Sequence, residues 1–170
     1  MVPLPTRFWC RLGEELREHE SVDLYFEDVE VGYTEESEPL EADRSEMIVY
    51  AHANDPYPIH TDPEVARQSP FGDAIASFGY TVSLYMRLMH RRDLIRSTER
   101  GFLGAVGSEV TFGGPVRPGD QIRMRHTIVD KRPASRGDRG LITSRHELVN
   151  QHDDIPVSID GRWLLANRPA

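Results

Sequence analysis

An α+β fold, with an antiparallel sheet packed around one long buried helix, is predicted by three observations. Residues Asp73 to Arg92 carry the strongest helical periodicity in the chain. After Gly101 the apolar period becomes two and stays there through four segments. Short breakers rich in Gly, Pro and Asp join those segments, so the strands are expected to be antiparallel neighbours.

In chain order, residues 11–20 (RLGEELREHE) read as a short charged amphipathic helix within an N-terminal appendage, 1–21. Residues 22–170 are expected to form one domain. Val22 to Gly32 is mixed strand and turn: its aromatics favour a strand and Gly32 punctuates it. Asp43 and Glu46 form a capping box that opens a helix from Arg44 to about His52. Asn54-Asp55-Pro56-Tyr57-Pro58 stops it, because proline fixes its own φ and restricts its predecessor. Asp62-Pro63-Glu64 starts another helical turn, and Ser69-Pro70-Phe71-Gly72 ends it.

In the long helix, Ile75, Phe78, Gly79, Val82, Met86 and Met89 share one face. Ala74, Ala76, Tyr80, Leu84, Tyr85 and Leu88 make the rest largely apolar, so burial on most sides is expected. Arg87, His90, Arg91 and Arg92 suit the negative C-terminal end. The strands are expected at Phe102–Phe112, Gln121–Lys131, Leu141–Asn150 and Val157–Leu165. His126, among apolar residues on its strand face, is expected to be a hydrogen-bonded core residue.

Composition narrows the function. The chain has 170 residues, enough for one ordinary domain. Its mean hydropathy is −0.52, and no apolar run approaches the ~18 residues of a membrane span. The first ten residues lack the pattern of a signal peptide, and Cys10 is the only cysteine, so a cytoplasmic protein without disulfides is expected. A net charge of −8 without a basic stripe argues against a nucleic-acid partner. Of the 20 basic residues only Lys131 is lysine. Phosphate-binding glycine loops, HExxH and GxSxG are absent.

What remains is Asp55-Pro-Tyr-Pro-Ile-His60. A carboxylate and an imidazole stand at the two ends of a segment stiffened by two prolines, an arrangement that suits general acid–base work. Taken alone, such a pair reads first as a turn cap and a packing histidine. A metal set of His52, Asp55, His60 and Asp62 is a weaker alternative, because its spacing matches no familiar ligand pattern.

The surroundings change that reading. The run from Tyr50 to Asp62 (YAHANDPYPIHTD), then Ala66, then Ser69-Pro-Phe-Gly-Asp-Ala-Ile-Ala-Ser77, resembles the signature of the MaoC-like acyl dehydratases. This family includes the (R)-specific enoyl-CoA hydratases of hot-dog fold. Pro115-Val-Arg-Pro-Gly-Asp120 and the stretch from Gly140 to Gln151 are similar to later blocks of the same family. The resemblance covers about Val22 to Arg168. It implies a hot-dog domain and a catalytic pair, Asp55 and His60, that activates a water for addition to a trans-2-enoyl thioester.

The resemblance further implies an oxyanion donor from a backbone N–H at the start of the long helix. Helix N-termini offer such donors. It implies no metal and no redox cofactor, coenzyme A being part of the substrate. It also implies assembly as a homodimer or a dimer of dimers. Phe78 stands where the family usually has its oxyanion glycine, and Gly79 follows one residue late, so the Phe78 ring is expected to narrow the acyl pocket. Ser77, Phe78, Gly79, Tyr80 and Tyr57 are the expected substrate-binding residues. Arg87, Arg91, Arg92 and Arg117 are candidates for coenzyme A phosphates or, equally, solvated side chains. Two other readings stay open: a thioesterase using Asp73 at the helix start, and an acyl-thioester binder without catalysis.

Overall fold

Alternating burial along three long strands builds the sheet. β1 (Thr34–Glu36) and β2 (Leu40–Glu41) are short. β3 (Phe102–Phe112), β4 (Gln121–Pro133), β5 (Arg139–Val149) and β6 (Val157–Ala166) are long. In β4, Ile122, Met124, His126 and Ile128 all turn to the core while their neighbours face outward. Among the described residues, six strands form an antiparallel sheet in the order β1-β4-β5-β6-β3, with β2 also paired to β4. β3 therefore forms one end of the sheet. The computed structural model describes residues 23–169; the expected appendage, its helix and Cys10 lie outside them.

The helices are α1 (Arg44–Asn54), α2 (Pro58–Thr61), α3 (Pro63–Gln68), α4 (Phe78–Met89) and α5 (Asp93–Ser97). α1 begins where expected, with the Asp43 carboxylate accepting the Glu46 N–H at 2.8 Å, but only this half of the expected capping box forms, because the Glu46 carboxylate accepts from Tyr80 and Arg87 instead. The region expected as mixed strand and turn holds a single 3-10 turn, Phe26–Asp28; strand pairing begins only after Gly32, which turns with φ +90°.

The central helix is shorter than its apolar pattern predicts. It runs from Phe78 to Met89, not from Asp73 to Arg92. Ser77 is the N-cap, its Oγ accepting the Tyr80 N–H. Upstream, the Ala76 N–H donates to the Val116 carbonyl, and Asp73 is held by both guanidinium nitrogens of Arg44. Those bonds hold residues 73–76 out of helix despite their apolar spacing. Downstream, Arg92 turns inward to become the N-cap of α5, nearly fully buried rather than solvated or placed for a phosphate.

Burial of α4 is also one-sided. Tyr80, Thr81, Leu84, Tyr85 and Leu88 pack on the sheet. Phe78 is 53% exposed and Met86 44%, because one sheet covers only one face of a helix that is apolar on several.

The core falls into two apolar clusters, one around Leu84, Leu88, Met124 and Leu148, the other around Val29, Ile128, Ile142 and Leu165. A polar row lies in the interior beside them. Arg92 pairs with Glu35 at 3.0 Å and donates to His126. The His126 ring meets His146 edge-on, with ring centres 4.5 Å apart. The Tyr85 hydroxyl and His146 Nδ1 are hydrogen-bonded at 2.7 Å, His146 Nε2 is hydrogen-bonded to Ser144 Oγ, and Ser144 Oγ accepts from Trp163 Nε1. His126 is thus the hydrogen-bonded core residue its position suggests. Among the described residues, no helix is long and apolar enough to cross a membrane.

Candidate active site

The two ends of the proline-stiffened segment converge. Asp55 closes α1, its N–H donating to the Ala51 carbonyl. Pro58 opens α2, a single turn that brings His60 back over the same point. His60 Nε2 and Asp55 Oδ2 are 3.8 Å apart. That is too long for a direct hydrogen bond and leaves room for both groups to hold one water. The imidazole is 12% exposed and the carboxylate 44%, so the pair faces outward from a largely sheltered ring.

His60 is oriented from behind. Its Nδ1 lies 2.9 Å from the Ile75 carbonyl, which can only accept, so Nδ1 carries a hydrogen, and in the neutral ring Nε2 presents its lone pair toward Asp55. Ile75 belongs to the non-helical segment that leads into α4. The sequence gives no sign of this contact, because the acceptor is a backbone atom whose direction depends on the segment being non-helical. Asp62, the third acidic group of the motif, caps α3 by accepting the Glu64 and Val65 N–H groups. Among the described residues no group of three or more His, Cys, Asp or Glu is placed to hold a metal ion, so the set His52, Asp55, His60 and Asp62 does not assemble as one.

The start of α4 lies beside the segment that holds His60. With Ser77 as N-cap, the Phe78 and Gly79 N–H groups have no intrahelical acceptor, while the Tyr80 N–H is bonded to Ser77 Oγ. Of the expected substrate-binding residues, Phe78 offers both an N–H and a ring at this point. Its ring meets Phe112 edge-on at 5.7 Å. Tyr57 is 63% exposed, tilted toward His60 with ring centres 6.5 Å apart.

Three other expected residues are engaged elsewhere. Ser77 is buried as a cap. Tyr80 points into the core, where its hydroxyl donates to Glu46 and burial pushes its pKa up. Gly79 has a packing reason for its identity: a Cβ there would lie 2.6 Å from the Tyr50 hydroxyl. Asp73, the thioesterase candidate, is not at the helix start. The Arg44 guanidinium and the Ala74 N–H hold its carboxyl down to about 2. Arg87 pairs with Glu46, and Arg117 donates to the Phe71 carbonyl.

An apolar cavity of about 360 Å³ opens here, lined in part by Ile75, Phe78, Thr81, Phe112, Val116 and Val157. The backbone of Ile75 thus serves His60 while its residue lines the cavity. Phe112, which lines the cavity in edge contact with Phe78, is a candidate residue that sequence reading missed. Its only signal is its place at the strand end before Gly113-Gly114.

The fold and this pair point to a hydro-lyase, and comparison with known proteins agrees. The sequence model of the family described as "MaoC like domain" matches residues 28–150. The chain belongs to the MaoC-like dehydratase family, and its fold is the hot-dog fold. A 3-hydroxybutyryl-CoA dehydratase from Methylorubrum extorquens is 33% identical over 116 residues, covering 66% of this chain and 69% of that protein. The crystal structure of a MaoC-like dehydratase from Rhodospirillum rubrum superimposes with a TM-score of 0.79 at 28% identity, covering 86% of this chain and 99% of the other. An (R)-hydratase from Pseudomonas aeruginosa shares the fold, with a TM-score of 0.63 at 19% identity over 86% of this chain and 88% of its own.

Proposed function

We propose that the protein catalyses the reversible hydration of a trans-2-enoyl thioester to the (R)-3-hydroxyacyl thioester. The observation that carries this reading is the fixed Asp55–His60 pair, 3.8 Å apart with His60 held in one tautomer by the Ile75 carbonyl. The mechanism follows from those atoms. Asp55 and His60 Nε2 hold a water between them. His60 Nε2 draws off a proton as the water oxygen bonds to the β-carbon. The carbon–carbon double bond shifts toward the thioester, and its oxygen takes up negative charge. The Phe78 N–H at the positive end of α4 stabilises that charge. The proton then reaches the α-carbon, so atoms and charge balance and no other reactant is consumed.

Coenzyme A is the favoured thiol because the Methylorubrum relative is named for a CoA ester. The acyl group lies in the apolar cavity beside Phe78 and Phe112. We further propose that the working unit is a homodimer. Among the described residues, β3 is an open sheet end carrying exposed Phe102, Leu103, Val106 and Phe112, and the exposed Phe78 and Met86 lie on α4. A second copy would cover both.

The test is incubation with a panel of enoyl-CoA and acyl-CoA esters, scoring hydration against release of free thiol. Hydration by the native protein, reduced roughly 100-fold or more in Asp55→Asn and in His60→Gln with folding retained, is the expected result. Thiol release without hydration would favour the thioesterase. Binding without either reaction would favour the non-catalytic reading.

A further inference from the structure

We propose that Gly114 is the passage over which the amide-bearing pantetheine arm of the thioester runs, from the apolar cavity into a polar one beside it. The proposal rests on the hydratase reading and specifies where that substrate's thiol half lies. The polar cavity, about 540 Å³, adjoins the apolar one, and the two share Gly113, Gly114 and Pro115 as lining. Both volumes are in the range of ligand sites.

The two glycines have different reasons to be glycine. A Cβ on Gly113 would lie 2.5 Å from the Ile155 carbonyl oxygen, so close loop packing requires the bare backbone there. At Gly114 a Cβ would meet nothing within 4 Å, and its φ is outside the left-handed region. Neither backbone conformation nor packing among the described residues accounts for the missing side chain. A side chain at Gly114 would project into open space at the junction of the two cavities.

The polar cavity also has the chemistry of an amide site. Arg117, Asp120, Asn150, Gln151, His152 and Asp154 line it, mixing donors with acceptors. Asp120 already accepts from the Arg117 N–H at 2.7 Å and the Gln151 side chain at 3.1 Å. Asp154 accepts from Asn150 at 3.3 Å. Two carboxylates oppose a phosphate, whereas an uncharged arm with two amides finds both kinds of partner.

The experiment compares the native protein with Gly114→Ala and Gly114→Val, using crotonyl-CoA and crotonyl-pantetheine. Gly114→Val is expected to raise KM for both esters about tenfold or more, with a smaller change in kcat, the ordinary effect of overfilling a tight space. Gly114→Ala should fall between, and the melting temperatures should be unchanged. An unchanged KM overturns the proposal, as does a large fall in melting temperature, which would make the glycine structural. An effect on the CoA ester alone overturns the assignment to the amide arm, because the contact would then be with the nucleotide. If the native protein hydrates neither ester, the proposed function fails first. Calorimetric binding of crotonyl-CoA then decides the passage alone: weaker binding to Gly114→Val supports it, and equal binding or none to the native protein overturns it.

Discussion

His146 shows how far one residue's surroundings reach. Burial pushes its pKa down to about 2, helped by the charges of His126 and Arg92. Burial also lowers His126. A histidine whose folded pKa lies below its unfolded value of about 6.5 takes up protons more readily when unfolded, so it stabilises above that pH and loses stability as pH falls. The melting temperature is therefore expected to drop between about pH 6.5 and 4.5, before most carboxylates titrate. His146→Gln should lower the plateau but flatten that slope, and thermal melts at stepped pH values will read it. Lys131, the single lysine, has a similar local logic. Its ammonium donates to the carbonyls of Phe26, Glu27 and Val29 and lies over the Phe26 ring. Phe26 in turn packs against the bare backbone of Gly140. Lys131→Met should cost about 1.5–3 kcal/mol, the worth of charged hydrogen bonds, by urea unfolding.

At the scale of the element, α4 joins the core to the chemistry. Its first turn carries the Phe78 and Gly79 N–H groups, which have no acceptor within the helix, and its exposed stripe begins with Phe78. Phe78→Gly is expected to shift the ratio of kcat/KM toward longer or bulkier enoyl-CoA esters, because the ring walls the apolar cavity with Phe112. The ring is more than half exposed, so the folding cost should fall well below the ~3–5 kcal/mol of a core phenylalanine. An unchanged ratio would place the ring outside the substrate's path. Ser77→Ala removes the cap from the same turn and should cost about 1 kcal/mol.

For the whole molecule, the sheet end at β3 sets the expected assembly. Burying it against a second copy removes an open strand edge and an apolar surface together. Sedimentation equilibrium at micromolar concentration should give a dimer or larger. Val106→Lys, on the exposed face of β3, should move it toward monomer, and a folded native monomer would sink the assembly proposed here.

The sequence by itself determined the order and type of the main elements. Period-two alternation in β4, β5 and β6 and the capping residues of α1 are local signals, written in neighbouring side chains. The Asp55–His60 pair was legible for the same reason: prolines and spacing constrain a short segment wherever it sits, and the surrounding blocks mark the family. Tertiary structure decided what local pattern cannot hold. Residues 73–76 have helical spacing but are not helical, because Arg44 and the Val116 carbonyl, distant in sequence, bind them. Arg92 sits at a helix end, where solvent is the default, yet Glu35 and His126 draw it inside. The Ile75 carbonyl fixes His60, and Phe112 meets Phe78, only because the folded backbone brings them together. Local energies choose elements, while non-local bonds choose where those elements stop and which faces meet.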